Sequence, residues 1–321
     1  MKKIVYVALV LISVACGGGK TGSIKVDNFS TGKAGEVLLI MDEKYYSEVS
    51  DTLLKSLNQP QPAINQIEPM FHVIQMGNQD FSSHFKRHRN IINFNINTSN
   101  TTNTLSIRND QWATPQIYVL IKGNNLDSCM QLYFNNEDRI INTLYENDLK
   151  RVQRFFIQNK NPQIQKVLTN KFRISLAVPN HYFIAREEPD FLWLRYRTVK
   201  NDRFIMVYKN TGTSLNPDSL IHQRNKITAQ FIPGAVQGAY PIVAEKLGFP
   251  IINPITINGK NGYEMRGLWE SVRDKMGGPF YSFTYTNKAG ELITIDGFVY
   301  APQEEKRDFL REVEAIVKSV K

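Results

Sequence analysis

The chain of 321 residues carries 39 Lys and Arg against 30 Asp and Glu, a formal net charge of +9, with 42% hydrophobic and 21% charged residues. That composition excludes a wholly disordered chain, and the length is enough for two domains that bury their cores without disulfides. No run of Lys and Arg is long enough to argue for nucleic acid as a partner.

Met1-Lys2-Lys3 is a short basic segment, and residues 4–15 are an uncharged apolar run. A bilayer-spanning helix needs about 20 residues, so residues 1–15 have the length and flanks of a signal peptide instead. Ser13-Val14-Ala15-Cys16 sets small residues directly before a cysteine, which resembles the lipobox of bacterial lipoproteins, with Ser13 where that pattern usually has Leu. The resemblance implies cleavage before Cys16, a diacylglycerol on its sulfur and an acylated, palmitate-type N-terminus. Residues 17–23 (GGGKTGS) form a flexible linker, so residues 16–33 read as lipidated cysteine plus tether. Cys129 then has no internal partner and reads as a buried small hydrophobe. Removing Lys2 and Lys3 lowers the charge from +9 to +7. Residues 16–165 hold 15 basic and 14 acidic groups, whereas residues 166–321 hold 22 and 16.

Residues 36–41 (EVLLIM) predict a buried strand, and Tyr46, Val49, Leu53 and Leu57 place one stripe on a following helix. Pro60 and Pro62 end it. Residues 71–74 predict a short strand and Asp80 to His88 a helix. Residues 91–96 and 104–107 predict a hairpin around an Asn/Thr-rich turn. Residues 117–121 predict another strand, and Asp127 to Gln158 one long helix or two. Residues 159–162 (NKNP) mark a boundary. Beyond it come a short helix (163–169), a strand (172–176) and a hairpin of residues 191–198 and 203–208. A helix follows at 218–231. Asn258-Gly259 turns residues 255–257 into 262–269, and residues 280–286 pair with 291–300. Phe309, Leu310, Val313, Ile316, Val317 and Val320 stripe a C-terminal helix. The fold class is α+β, with two domains (34–160 and 161–321), each a mainly antiparallel sheet flanked by helices.

The segments GEVLLIMD (35–42), NQPQPAINQIEPMFHV (58–73), HRNII (88–92) and NGYEMRG (261–267), with the Cys16 motif, resemble an uncharacterised Bacteroidetes lipoprotein family, a domain of unknown function. That resemblance implies an envelope lipoprotein and supplies no catalytic residues. The element order of residues 170–321, ending in FVYAP (298–302) and a helix, resembles the PsbP/Mog1-like fold, which implies a binding or accessory module.

His84 and His88 sit at i, i+4 on the predicted helix, yet Lys86, Arg87 and Arg89 disfavour a cation, so no metal is expected there. Ser83-x-x-Lys86 lacks the companion elements of a serine nucleophile site. Asp42 and Glu43 read as helix-capping acids. Phe191, Trp193, Arg195 and Arg197 alternate onto one strand face, with Leu192, Leu194 and Tyr196 on the other. The Leu face is the core candidate, which leaves aromatic rings beside guanidinium groups as a possible binding surface. Residues 273–279 read as a loop between strands, and Asp51-Thr52-Leu53 and Asp218-Ser219-Leu220 resemble a short glycosylation sequon. No catalytic residue, cofactor or metal is expected. The expected protein is a cell-envelope lipoprotein, held by Cys16 on the periplasmic face of the outer membrane, that binds or scaffolds an envelope protein or glycan. The alternative is a periplasmic hydrolase whose carboxylates are distant in sequence.

Overall fold

The computed structural model describes residues 28–210 and 215–321. Its first half holds β1 (Glu36–Met41), α1 (Tyr46–Leu57), β2 (His72–Gly77), β3 (Asn90–Ile96), β4 (Thr104–Asn109), β5 (Ile117–Gly123), α2 (Leu126–Phe134) and α3 (Glu137–Gln158). The five strands form one sheet in the order β2-β1-β3-β5-β4. The α+β class with two sheets flanked by helices holds, but the strand directions of this sheet correct the expectation. Pairs β1–β2, β1–β3 and β3–β5 are parallel, and only β4–β5 is antiparallel. The reason lies in composition. Parallel central strands are buried on both faces and read as near-continuous apolar runs, as β1 and β5 do. Val37, Leu39 and Met41 of β1 face the helices, while Leu38 and Ile40 pack on the opposite face beneath Phe81 and Trp112.

The expected hairpin of β3 and β4 is also corrected, because β5 inserts between them. β5 is buried almost throughout, whereas the more polar β4 (TLSIRN) lies exposed at the edge. The expected helix at 80–88 is replaced by two single 3₁₀ turns, Asn78–Asp80 and Phe85–Arg87. The segment has only Phe81 and Phe85 as an apolar pair at helical spacing, too little to repay helix nucleation.

The second half contains α4 (Pro162–Phe172), β6 (Phe183–Glu188), β7 (Phe191–Arg197), β8 (Asp202–Lys209), α5 (Pro217–Phe231), β9 (Pro241–Val243), β10 (Ile251–Ile257), β11 (Lys260–Ser271), β12 (Gly277–Thr286), β13 (Leu292–Tyr300) and α6 (Arg307–Val317). All its strand pairings are antiparallel, in the order β10-β11-β12-β13-β8-β7-β6, with β9 against β11. Asn258 (φ 50°) and Gly259 (φ 78°) make the tight β10–β11 turn, whose two left-handed residues suit the sheet's twist. Residues 173–176 form no strand; Ser175 instead exchanges backbone bonds with Lys321 at 3.3 and 3.1 Å.

Leu192, Leu194, Ile205, Val207 and Ile293 point to the face covered by α4 and α6. The opposite face is covered by α5 over only part of its length. There Arg224 of α5 and Asp296 of β13 form an ion pair (2.8 and 3.3 Å) with both side chains fully buried.

α6 lies between the two sheets, with Leu310, Val313, Ile316 and Val317 in the second core and Ala315 in the first. Its N-terminus is capped from afar: the Glu68 carboxylate accepts from the Lys306 amide (2.7 and 2.9 Å) and the Arg307 amide (2.7 Å). A carboxylate there also favours the helix dipole. Glu314 accepts from Tyr145 of α3 and from Arg266 of β11, and Lys318 pairs with Glu314 and Glu146. Those cations hold the Glu314 carboxyl down at about 2 although burial alone pushes it up.

Candidate functional site

Where α5 ends, the sheet face opens into a cleft of about 400 Å³. Alternation along β7 brings Trp193, Arg195 and Arg197 to this face. The antiparallel register supplies the rest. Phe204 of β8 stands opposite Arg195, and Asp202 opposite Arg197. Phe298 and Tyr300 of β13 stand opposite Phe204 and Asp202. The rings form a continuous lining. Phe204 stacks on Phe298 with centroids 4.4 Å apart, and Trp269 meets Phe298 edge-on at 5.5 Å.

Two loops wall the cleft. Pro233, lacking an N–H, follows the last turn of α5 and starts the first loop. The Asp274 carboxylate pins that loop to the second by accepting from the Ala235 and Met276 amides, both at 3.0 Å. Slight burial raises the Asp274 carboxyl, but bonds from Ser271, Met276 and Ala235 outweigh it and hold the group below its ordinary range. Gly238 (φ 74°) lies against Arg273, whose Nη1 would be 2.7 Å from any added Cβ.

The electrostatics are asymmetric. Arg195 donates through Nε and Nη2 to Asp202 (3.3 and 2.7 Å), and its guanidinium lies 5.4 Å from the Phe204 ring centroid. Asp202 is the single acid of the lining, and each of its oxygens accepts one of those bonds. Arg197 is exposed, and its guanidinium has no hydrogen bond or ion pair among the described residues. The Trp193 indole N–H is buried without a partner, whereas Trp269 donates to the Val299 carbonyl at 3.0 Å.

Three of the four residues expected on a binding face therefore line the cleft. Phe191 is the correction. It is 1% exposed and stacks on Phe231 at 4.4 Å, because the last turn of α5 covers that end of β7. Asp202, Phe204, Trp269, Phe298 and Tyr300 were missed. Alternation within β8 and β13 would have marked Asp202 with Phe204, and Phe298 with Tyr300, had the register been known.

The other candidates separate. His84 is exposed, while His88 is buried, with Nδ1 3.1 Å from the Asn90 carbonyl and Nε2 3.4 Å from Glu36. Burial lowers the His88 pKa against the opposing pull of Asn90 and Glu36. Among the described residues no group of three or more His, Cys, Asp or Glu is placed to hold a metal. Lys86 lies over the Trp112 ring at 5.9 Å. Asp42 caps a 3₁₀ turn by accepting from the Lys44 amide, and Glu43 accepts from Gln79. Leu53 and Leu220 of the two sequon-like triplets are buried. Cys129 is buried, and burial pushes its thiol up to about 11. Cys16 lies outside the described residues. Among them no helix is long and apolar enough to cross a membrane.

Residues 161–319 match the model of a domain of unknown function (DUF4837). Residues 30–157 match that of a second domain of unknown function (DUF8532). No curated protein matches the chain. Among solved structures, LpqN of Mycobacterium tuberculosis, described as involved in cell envelope biogenesis, is 14% identical. It covers 46% of this chain and 81% of its own, with a TM-score of 0.28. A mutant of the protein Mog1 is 11% identical and covers 46% of this chain and 89% of its own, with a TM-score of 0.30. A chain from Bacteroides thetaiotaomicron is 10% identical and covers 46% of this chain and 44% of its own, with a TM-score of 0.25.

Proposed function

We propose that this protein is a lipid-anchored binding module of the bacterial cell envelope, without chemistry of its own, whose ligand or partner engages the cleft beside β7. The observation that carries the reading is the cleft's make-up: an aromatic lining and two guanidinium groups around one carboxylate, with that carboxylate already held by Arg195. Aromatic and Arg side chains are the types enriched at recognition surfaces. Hydrolysis by paired carboxylates needs two acids facing one substrate, and Asp202 stands alone in the lining.

The anchoring part rests on the sequence around Cys16: basic start, short apolar run, small residues before the cysteine and a glycine-rich tether. On this reading the protein is held at the periplasmic face of the outer membrane and its partner is an envelope protein or a glycan rather than nucleic acid. Two measurements test the proposal. The native chain partitions into a detergent phase and gives an acylated terminal cysteine by mass spectrometry, whereas Cys16→Ser moves it to the aqueous phase; a bare terminus would end the anchoring claim. Pulldown from native membranes yields a constant partner that Trp269→Ala loses; turnover of a glycan, peptide or ester by the pure protein would end the non-enzymatic claim.

A further inference from the structure

The polar groups of the cleft that remain unused are mainly donors. Asp202 is engaged by Arg195 through both oxygens. Asp274, on the adjoining loop, is engaged by the Ala235 and Met276 amides. What is left among the side chains is the whole Arg197 guanidinium and the Tyr300 hydroxyl, neither with a hydrogen-bond partner among the described residues. A guanidinium donates and does not accept, so the group that Arg197 can engage on a ligand is an acceptor.

The walls set the other half of the requirement. Phe204, Phe298 and Trp269 present rings, and Ile232 and Met276 close the sides. A volume of about 400 Å³ is at the small-molecule end of ligand pockets, which span roughly 300–1,000 Å³.

We infer that the cleft takes a small amphiphilic anion: an apolar body of about one or two rings against Phe204, Phe298 and Trp269, with a carboxylate-type head on Arg197. Arg195 does not serve as the primary anchor, because Asp202 neutralises it and fixes it over Phe204. Arg197, standing opposite Asp202 in the register yet outside its ion pair, is the cation left for the ligand. A planar guanidinium suits a carboxylate through paired N–H bonds. The inference rests on the reading of the cleft as the binding site and adds the class of ligand.

The test uses the full acylated chain in nanodiscs, with empty nanodiscs as the blank, and calorimetric titration of three matched probes. These are 2-naphthylacetate, its neutral amide, and the corresponding naphthylethylamine cation. The acetate is expected to bind about tenfold tighter than the amide, and the amine weaker than both. Arg197→Gln, at an exposed position that leaves the core untouched, is expected to reduce the acetate's advantage over the amide to about threefold or less. Equal binding of acetate and amide overturns the ligand class and leaves the cleft as a site. Acetate binding that Arg197→Gln does not weaken overturns the assignment of the head group. No binding of any probe to the folded chain overturns the ligand class together with the reading of the cleft as a small-molecule site.

Discussion

Replacing Arg224 by Met isolates the cost of one buried charge. Met retains much of the unbranched apolar stem and removes the guanidinium. Asp296 then faces a fully buried site with neither of its bonds of 2.8 and 3.3 Å. Breaking a buried pair from one side costs about 3–5 kcal/mol. At roughly 2–4 °C per kcal/mol for a chain of this size class, Tm falls by about 6–20 °C. The pH dependence has a defined sign. Burial already raises the Asp296 carboxyl above its usual value, with Arg224 pulling it down. Without Arg224 it climbs further, so the folded state holds a proton that the unfolded chain releases. The deficit is therefore largest at neutral pH and shrinks as pH falls toward the unfolded carboxylate pKa of about 3.9. In the double variant Arg224→Met/Asp296→Leu no charge remains to desolvate, and stability returns to within about 1 kcal/mol of the native protein or above it. Urea unfolding followed by circular dichroism at pH 7 and pH 5 gives the free energies, and a thermal scan gives Tm. A single variant within 1 kcal/mol of native at pH 7, or a double variant as weak as the single, would refute the reasoning. Because the Arg224 guanidinium lies 4.0 Å from the Phe280 ring centroid and 5.8 Å from that of Phe298, the single variant also loosens the floor of the cleft.

Two further outcomes are expected. His88 is kept neutral by burial, so its contribution is present above the unfolded pKa of about 6.5 and is lost as pH falls below it. The urea midpoint should therefore drop between pH 7 and pH 5. His88→Gln should flatten that drop and cost about 1–2 kcal/mol at pH 7 through the lost bond to Asn90; an unchanged slope would remove His88 from the account. Cys129, with its thiol near 11, should resist iodoacetamide at pH 8 until urea unfolds the chain. Stoichiometric labelling of the folded protein within minutes would contradict its burial.

How much of this was legible in the sequence depended on whether the signal was local. The α6 stripe, the Asn258-Gly259 turn and the strand pairs around β7–β8 and β12–β13 are local patterns, and the folded chain keeps them. The first sheet was misread because strand direction is not local. A crossover such as α1 and a hairpin both leave apolar runs in the sequence, and only the continuity of EVLLIM and of IYVLI hints at central parallel strands. The site was half visible. Period-two alternation exposed Trp193, Arg195 and Arg197, but the cleft also needs Trp269 and Phe298, which lie far along the chain and join through register alone. Phe191 shares the alternation and is buried, since where α5 stops cannot be read from β7.

The Glu68 cap on α6 ties residues separated by 238 positions in sequence. Asp148 of α3 belongs to the same seam, facing Arg89 at 3.3 Å and Arg311 of α6 at 3.6 Å. Severed between α3 and α4, the first piece would have to present Glu68, Asp148 and Tyr145 to water, and the second would keep a helix whose opening amides had lost their acceptor. Along this seam each half of the chain supplies the acceptors and donors that complete the other's surface.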